Sequence, residues 1–190
     1  MTVEGYGPDF FEMHVPWRAE YERFADSIAK HLAFESVLDL GCGNGFLIEH
    51  LSHVHGKAAW GVDGSPDAVN ANPRVAIEHF DLRRPYMGGS FGLVICTEVA
   101  EHIERLYENV LVQSIARASS GLVLFSAAKP GAGGYLHVNE RPQAHWVRKF
   151  RNWRFQLDAE KTASIRADLA ANIETWWFTQ NVIVLRNGKG

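Results

Sequence analysis

Glu98, Glu101 and His102 stand at i, i+3 and i+4 within the run Cys96-Thr97-Glu98-Val99-Ala100-Glu101-His102. On a helical turn that spacing places all three side chains on one face. Two carboxylates and an imidazole converging there could hold a divalent cation, because mixed oxygen and nitrogen donors suit such ions. Without a cation, His102 becomes a candidate general base, since an imidazole titrates near neutral pH. The competing reading is structural, with the same residues capping a helix and bonding their neighbours. A second chemical feature lies upstream, in Val37-Leu38-Asp39-Leu40-Gly41-Cys42-Gly43-Asn44-Gly45. An apolar run ending in alternating glycines reads as a buried strand turning sharply into a helix. Glycines there let the backbone approach a ligand without a side chain in the way. A dinucleotide fingerprint would need glycine or alanine at 46, and Phe46 argues against it.

The elements that must position these residues follow from periodicity. Strands are predicted at 36–40, 58–62 (ending at Asp63), 75–80 (ending at Asp81), 91–96 and 121–126. Helices are predicted at 17–32, 44–53, from Ser65-Pro66 onward, and at 102–117, so strand and helix alternate as in a parallel α/β sheet. Residues 1–15 read as an irregular arm and 130–134 as a loop. A helix at 142–151, a strand at 153–157, a helix at 160–172 and a final strand from Trp176 to Leu185 complete the chain. In an open parallel sheet, ligands bind beyond the carboxyl ends of the strands. Asp63 stands where a carboxylate can accept from both hydroxyls of a ribose, and Asp81 where it can accept from an exocyclic adenine amine. A lone aspartate after a strand is more often a turn or helix cap. Two of them in register with the glycine turn favour an adenosine-bearing ligand.

Composition sets the bounds. A chain of 190 residues, 46% hydrophobic and 22% charged, is of the size and make-up of one globular domain. A net charge of −3 gives no overall attraction to nucleic acid or an anionic membrane. Its two cysteines, Cys42 and Cys96, suit a reducing compartment, and no apolar run is long enough to span a bilayer. A cytoplasmic location without membrane insertion is the expectation.

The segments "VLDLGCGNG", "GVDGSPDA" and "HFDL" resemble, in order and spacing, the first three motifs of the class I S-adenosylmethionine (SAM) dependent methyltransferases. The resemblance covers residues 35–126 well and the remainder loosely. It implies a three-layer α/β fold with a doubly wound, seven-stranded, mostly parallel sheet of order 3-2-1-4-5-7-6 and an antiparallel strand seven. It implies residues 1–34 as an arm and lid helix, with Tyr6, His14 or Trp17 near the site, and 35–190 as the methyltransferase domain. It also implies SAM, with S-adenosylhomocysteine (SAH) as product, held by Asp39, Gly41, Cys42, Gly43, Gly45, Asp63, Gly64, Asp81, Leu82 and Thr97. The "EVAEH" turn is similar to that of the ubiquinone-biosynthesis O-methyltransferases and of the small-RNA 2′-O-methyltransferases. By that likeness Glu98, Glu101, His102 and a downstream His137 form a metal set. Without a metal, His102 or His137 is the base, and Glu98 contacts SAM or the acceptor.

"HVNERP" (137–142) and "WFTQN" (177–181) look like runs in a small branch of the same superfamily, which puts His137, Asn139 and Asn181 beside the predicted cleft. The expected reaction is methylation of a hydroxyl on a small-molecule or sugar-like acceptor. N-methylation, methylation of an RNA or nucleotide 2′-hydroxyl, and SAM binding without catalysis stay open, as does the oligomeric state. Arg141, Arg148, Lys149, Arg151 and Arg154, interleaved with Trp146, Phe150, Trp153 and Phe155, have the form of a nucleic-acid-stacking surface. The i, i+4, i+7 spacing of Trp146, Phe150 and Trp153 favours an apolar helix stripe with a solvated basic face instead.

Overall fold

A computed structural model of the chain describes residues 6–188. Its strands are β1 (Ser36–Leu40), β2 (Ala58–Asp63), β3 (Ile77–His79), β4 (Phe91–Cys96), β5 (Ser119–Phe125), β6 (Phe155–Leu157) and β7 (Ile183–Asn187). They form one seven-stranded sheet of order β3-β2-β1-β4-β5-β7-β6, in which β7 runs antiparallel to both neighbours. The helices are α1 (Pro8–His14), α2 (Arg18–His31), α3 (Phe46–His53), α4 (Ala68–Ala71), α5 (Glu108–Ala118), α6 (Gln143–Arg151), α7 (Ala159–Asn172) and α8 (Trp176–Asn181).

Alternation along the central strands divides the core in two. Leu38, Leu40, Val94, Cys96, Val123 and Phe125 face α5 and α6, where they meet Leu111, Ile115, Trp146 and Phe150. Val37, Leu93, Ile95 and Leu124 face the other way, onto Phe24 and Ile28 of α2, Leu47 and Leu51 of α3, and Ile165 and Leu169 of α7. Helices thus cover both faces of the sheet, and α2 shares the core of the methyltransferase-like unit. The aromatic members of the basic segment are core: Trp146, Phe150 and Phe155 are buried, while Arg148, Arg151 and Arg154 are exposed. Arg117 stacks over the half-buried Trp153 ring.

Three predicted elements change. The strand expected over 176–185 is helix α8 followed by β7, because Phe178 turns inward against Tyr21 and Phe24. Packing there overrides the strand preference of Trp-Trp-Phe. The helix expected over 102–117 begins only at Glu108, after a single 3-10 turn at Ala100–His102. The arm expected to be irregular contains α1, with Pro8 in its first turn, where a missing N–H costs nothing. Residues 1–5 of that arm lie outside the described residues. No helix among the described residues is long and apolar enough to cross a membrane.

Candidate active site

β1 pairs with β2 on one side and β4 on the other, so the crossovers on either side of it diverge and leave a crevice beyond its carboxyl end. A cavity of about 560 Å³ opens there, within the range of small-molecule sites. The turn after β1 forms its floor. Gly41 has φ +84°, and a Cβ at this position would lie 2.3 Å from Val99 Cγ2. Gly43 has φ +53° and open space where its Cβ would project, so its backbone is bare to the cavity. Asp63 braces this turn from the end of β2: its Oδ2 accepts from the Gly43 N–H at 2.9 Å and its Oδ1 from the Ser65 N–H at 2.8 Å.

Asp39, Cys42, Gly64, Asp81, Leu82 and Thr97 also line the cavity, as expected of the cofactor set. Gly45 does not. It lies behind the turn, where a Cβ would press on Val75 and Ile77, and its positive φ starts α3. Asp81 is held by a bidentate Arg83 guanidinium at 2.8 and 2.9 Å, which keeps its carboxyl below the usual carboxylate range. Asp39 is in the opposite condition. Its Oδ1 is buried without a hydrogen-bond partner, and burial, reinforced by the Asp63 charge, pushes its carboxyl up to about 8. An amine cation such as the ammonium of SAM's methionine moiety would satisfy that oxygen. The cradle therefore fits SAM: bare glycine backbone, two ordered carboxylates and one orphaned acid.

The raised Asp39 pKa has a consequence for the ligand-free protein. A carboxyl that ionises near 4 in the unfolded chain and about 8 in the folded one is protonated in both states at low pH. As pH rises between those values the unfolded state alone becomes charged, so this contribution to stability is lost progressively and is gone above the folded pKa. Melting temperature without ligand is expected to fall from pH 5 to pH 8, with a shallower slope in Asp39→Asn. An identical slope in the variant would contradict this assignment.

The far wall carries the second constellation. Glu98 follows β4 with φ +53°, so it is not on a helical turn with Glu101 and His102; a left-handed residue and a 3-10 turn bring the three together instead. Its N–H donates to the Ser126 oxygens, and its carboxylate accepts from Asn181 Nδ2 at 3.3 and 3.4 Å. Glu101 is fully buried: Oε1 accepts from the Ala128 N–H at 3.0 Å, no N–H or O–H of another side chain or of the backbone among the described residues reaches Oε2, and the carboxyl shares a hydrogen bond with that of Glu98. Burial and then the Glu98 charge push its carboxyl up to about 8. Burial and then His137 push the His102 imidazole down to about 4, so it is neutral at physiological pH.

The main-chain carbonyl of Glu101 accepts from the N–H groups of Val138 and Asn139, which docks the loop after β5 onto the 3-10 turn. That loop delivers His137, whose ring lies 4.9 Å from that of His102, centroid to centroid. Glu140 gathers the loop by accepting from the Gly131 and Gly133 N–H groups and by bonding His137 Nδ1 at 2.9 Å. One ligand atom each from Glu101, His102 and His137 lies within 4.8 Å of the other two. Glu98 stands outside this trio. Asn139, expected near the acceptor, turns away to Glu108 and Arg141.

The third wall is aromatic. Tyr6, His14 and Trp17 all line the cavity together with Tyr135, Trp176 and Trp177, with Tyr6 edge-on to Tyr135 and Trp17 to Trp177. The Tyr6 hydroxyl sits 2.7 Å from His102 Nδ1. Two side chains of the cofactor motifs fasten this N-terminal cover: Asn44 Nδ2 donates to the Phe11 carbonyl at 2.9 Å, and Ser65 Oγ to the Tyr6 carbonyl at 2.7 Å. Sequence reasoning missed both contacts. The signal was an amide and a hydroxyl inside motifs read only for glycine and acid.

A family model described as "Methyltransferase domain" matches residues 12–172. The chain belongs to the class I SAM-dependent methyltransferases. It is 31% identical, over 125 residues, to the ubiquinone biosynthesis O-methyltransferase of Pseudomonas paraeruginosa; the alignment covers 60% of this chain and 49% of that protein. Across three such relatives the alignments cover 30%, 53% and 49% of the relatives' length, so the chain spans about half their length or less. Among solved structures it resembles Streptomyces venezuelae DesVI, with a TM-score of 0.71, 14% identity and coverage of 94% of this chain and 97% of that one. It also resembles the sugar N-methyltransferase KedS8 from Streptoalloteichus, with a TM-score of 0.68, 16% identity and coverage of 96% and 93%. These likenesses carry the fold.

Proposed function

We propose that the protein transfers the methyl group of SAM to a hydroxyl of a neutral small molecule, assisted by a divalent cation at Glu101, His102 and His137. The observation that carries this reading is the convergence of one ligand atom each from Glu101, His102 and His137 at the cavity wall, with the Glu101 carboxyl fully buried. One carboxylate and two imidazole nitrogens suit an ion such as zinc or manganese. Bound there, the cation would supply Lewis acidity that lowers the pKa of an acceptor hydroxyl. The names of the curated relatives support an oxygen acceptor.

The protein's own groups do the positioning. Glu140 fixes the ring of His137 through Nδ1, the carboxylate–histidine arrangement that orients metal ligands. Asn181 and Ser126 hold Glu98, whose carboxyl burial raises above the usual range, so it is a competent acceptor for the hydroxyl proton.

Charge selects the acceptor class. Arg83 is the one lysine or arginine among the described residues lining the cavity, and it is spent on Asp81. Six acids line the same space, Asp39, Asp63, Asp81, Glu98, Glu101 and Glu104, of which Asp39 and Glu101 are held mostly protonated near neutral pH in the ligand-free protein and the rest still outnumber the one cation. A phosphorylated or polyanionic acceptor would meet repulsion, whereas a flat or apolar body can stack on Trp17, Trp176 and Trp177. The acid-rich wall also suits an amine, which makes N-methylation the second reading. Turnover of hydroxyl acceptors under chelation, followed by manganese or zinc add-back, separates the two. We expect loss of at least about tenfold and recovery, with phosphorylated analogues poor throughout. Chelator-insensitive methylation of amines alone would overturn the first reading.

A further inference from the structure

Asp26, His50 and His55 form a cluster on the surface, outside the cavity lining. Asp26 projects from α2. His50 lies in the last turn of α3, and Gly56 with φ +65° reverses the chain just beyond it, where its N–H bonds the Ser52 carbonyl at 3.1 Å. His55 sits in the turn that closes α3, where the Val54 N–H bonds the His50 carbonyl at 2.9 Å, and its ring lies beside that of His50 with centroids 5.5 Å apart. Both Nε2 atoms converge on one oxygen, Asp26 Oδ1, at 2.7 Å each. No lysine or arginine pairs with Asp26 among the described residues.

We propose that this trio is a second divalent-cation site, for a borderline ion such as zinc(II), and that the ion ties α2 to α3. Two imidazole nitrogens and one carboxylate oxygen are three of the four donors of a tetrahedral zinc centre, with a water to complete it. Zinc bonds of about 2.0–2.2 Å set neighbouring donors roughly 3.3 Å apart, a small side-chain adjustment from the contacts seen. Two N–H groups sharing one oxygen is also the arrangement in which a single ion replaces both protons and keeps the same three atoms. The rigid parts are in place: α2 and α3 both pack on the sheet through the same core, so Asp26 and His50 are held by two fixed helices and His55 by the turn directly after α3. The spacing is selective, because His53 on the same helix end is not in the trio. α2 leads back to α1 and the cover of the cavity, so a cation here would stiffen the base of that cover. The site stands independently of the methyl-transfer reading.

The test uses the full chain carrying Glu101→Gln and His137→Gln, which removes the cavity trio. Zinc is titrated by equilibrium dialysis, and melting is followed with and without zinc. The expected result is one tightly bound equivalent and a rise in melting temperature of at least about 3 °C. His50→Gln, His55→Gln and Asp26→Asn should each weaken that binding by about tenfold or more and remove the rise, with unchanged circular dichroism. His53→Gln should leave both intact. Absence of the bound equivalent, survival of binding in the three variants, or an equal loss in His53→Gln would each overturn the proposal.

Discussion

Replacing Asp63 with alanine is expected to weaken SAH binding by at least about 100-fold. The carboxylate accepts from the N–H groups of Gly43 and Ser65, which hold the glycine turn and the segment after β2 in one arrangement. Each hydrogen bond to a charged group is worth about 1.5–3 kcal/mol, and two of them reach the ~3 kcal/mol that a 100-fold change requires. The variant also deprives the ligand of an acceptor beside the bare face of Gly43. Isothermal titration with SAH reads the effect, and Asp63→Asn, which keeps the shape and removes the charge, should fall between. Affinity within about threefold of wild type in Asp63→Ala would mean that the turn is not the ligand cradle.

Glu101→Gln is expected to lower turnover by about 10²–10⁴-fold while leaving SAH affinity within a few-fold. Glutamine keeps an acceptor for the Ala128 N–H, so the buried contact that docks the neighbouring loop survives. What is lost is the carboxyl oxygen that can ionise and take a bound cation. His137→Ala should fall comparably, because it removes a second member of the trio and leaves Glu140 holding only its two backbone N–H groups. Steady-state kinetics on any acceptor that the wild type methylates checks both. If turnover survived both changes, these residues would be structural, and catalysis would rest on Glu98 and proximity alone.

Much of the fold was legible because β1, β4 and β5 are largely apolar runs, and because Gly41 follows β1 and Asp63 closes β2. The sheet order, including the antiparallel β7, came with the motif resemblance and not from periodicity. The end of the chain was less readable. Trp176-Trp177-Phe178 has the composition of a strand, and only its packing against Tyr21 and Phe24 makes it a helix. Within the site, Gly41, Gly43, Asp63 and Asp81 were singled out from their places at strand ends and line the cavity; Asp39 came with the motif resemblance; Gly45 was expected there too and packs behind the turn, since a packing glycine and a ligand-facing one look alike in sequence. The convergence of Glu98, Glu101 and His102 was foreseen with the wrong geometry. Asn44 and Ser65 as fasteners of the cover, and Glu140 as organiser of the His137 loop, depend on contacts between distant segments that no local pattern encodes.

The central claim is that SAM on the glycine turn and a divalent cation on Glu101, His102 and His137 share one cavity. The most direct measurement is the NMR signal of SAM carrying ¹³C in its methyl group, bound to the full chain and titrated with manganese(II). The account predicts that the bound methyl signal is broadened away by manganese in the wild type. It also predicts that the signal persists when Glu101→Gln and His137→Ala are combined. A bound methyl signal that stays sharp in the wild type, at manganese concentrations that saturate the protein, would contradict it.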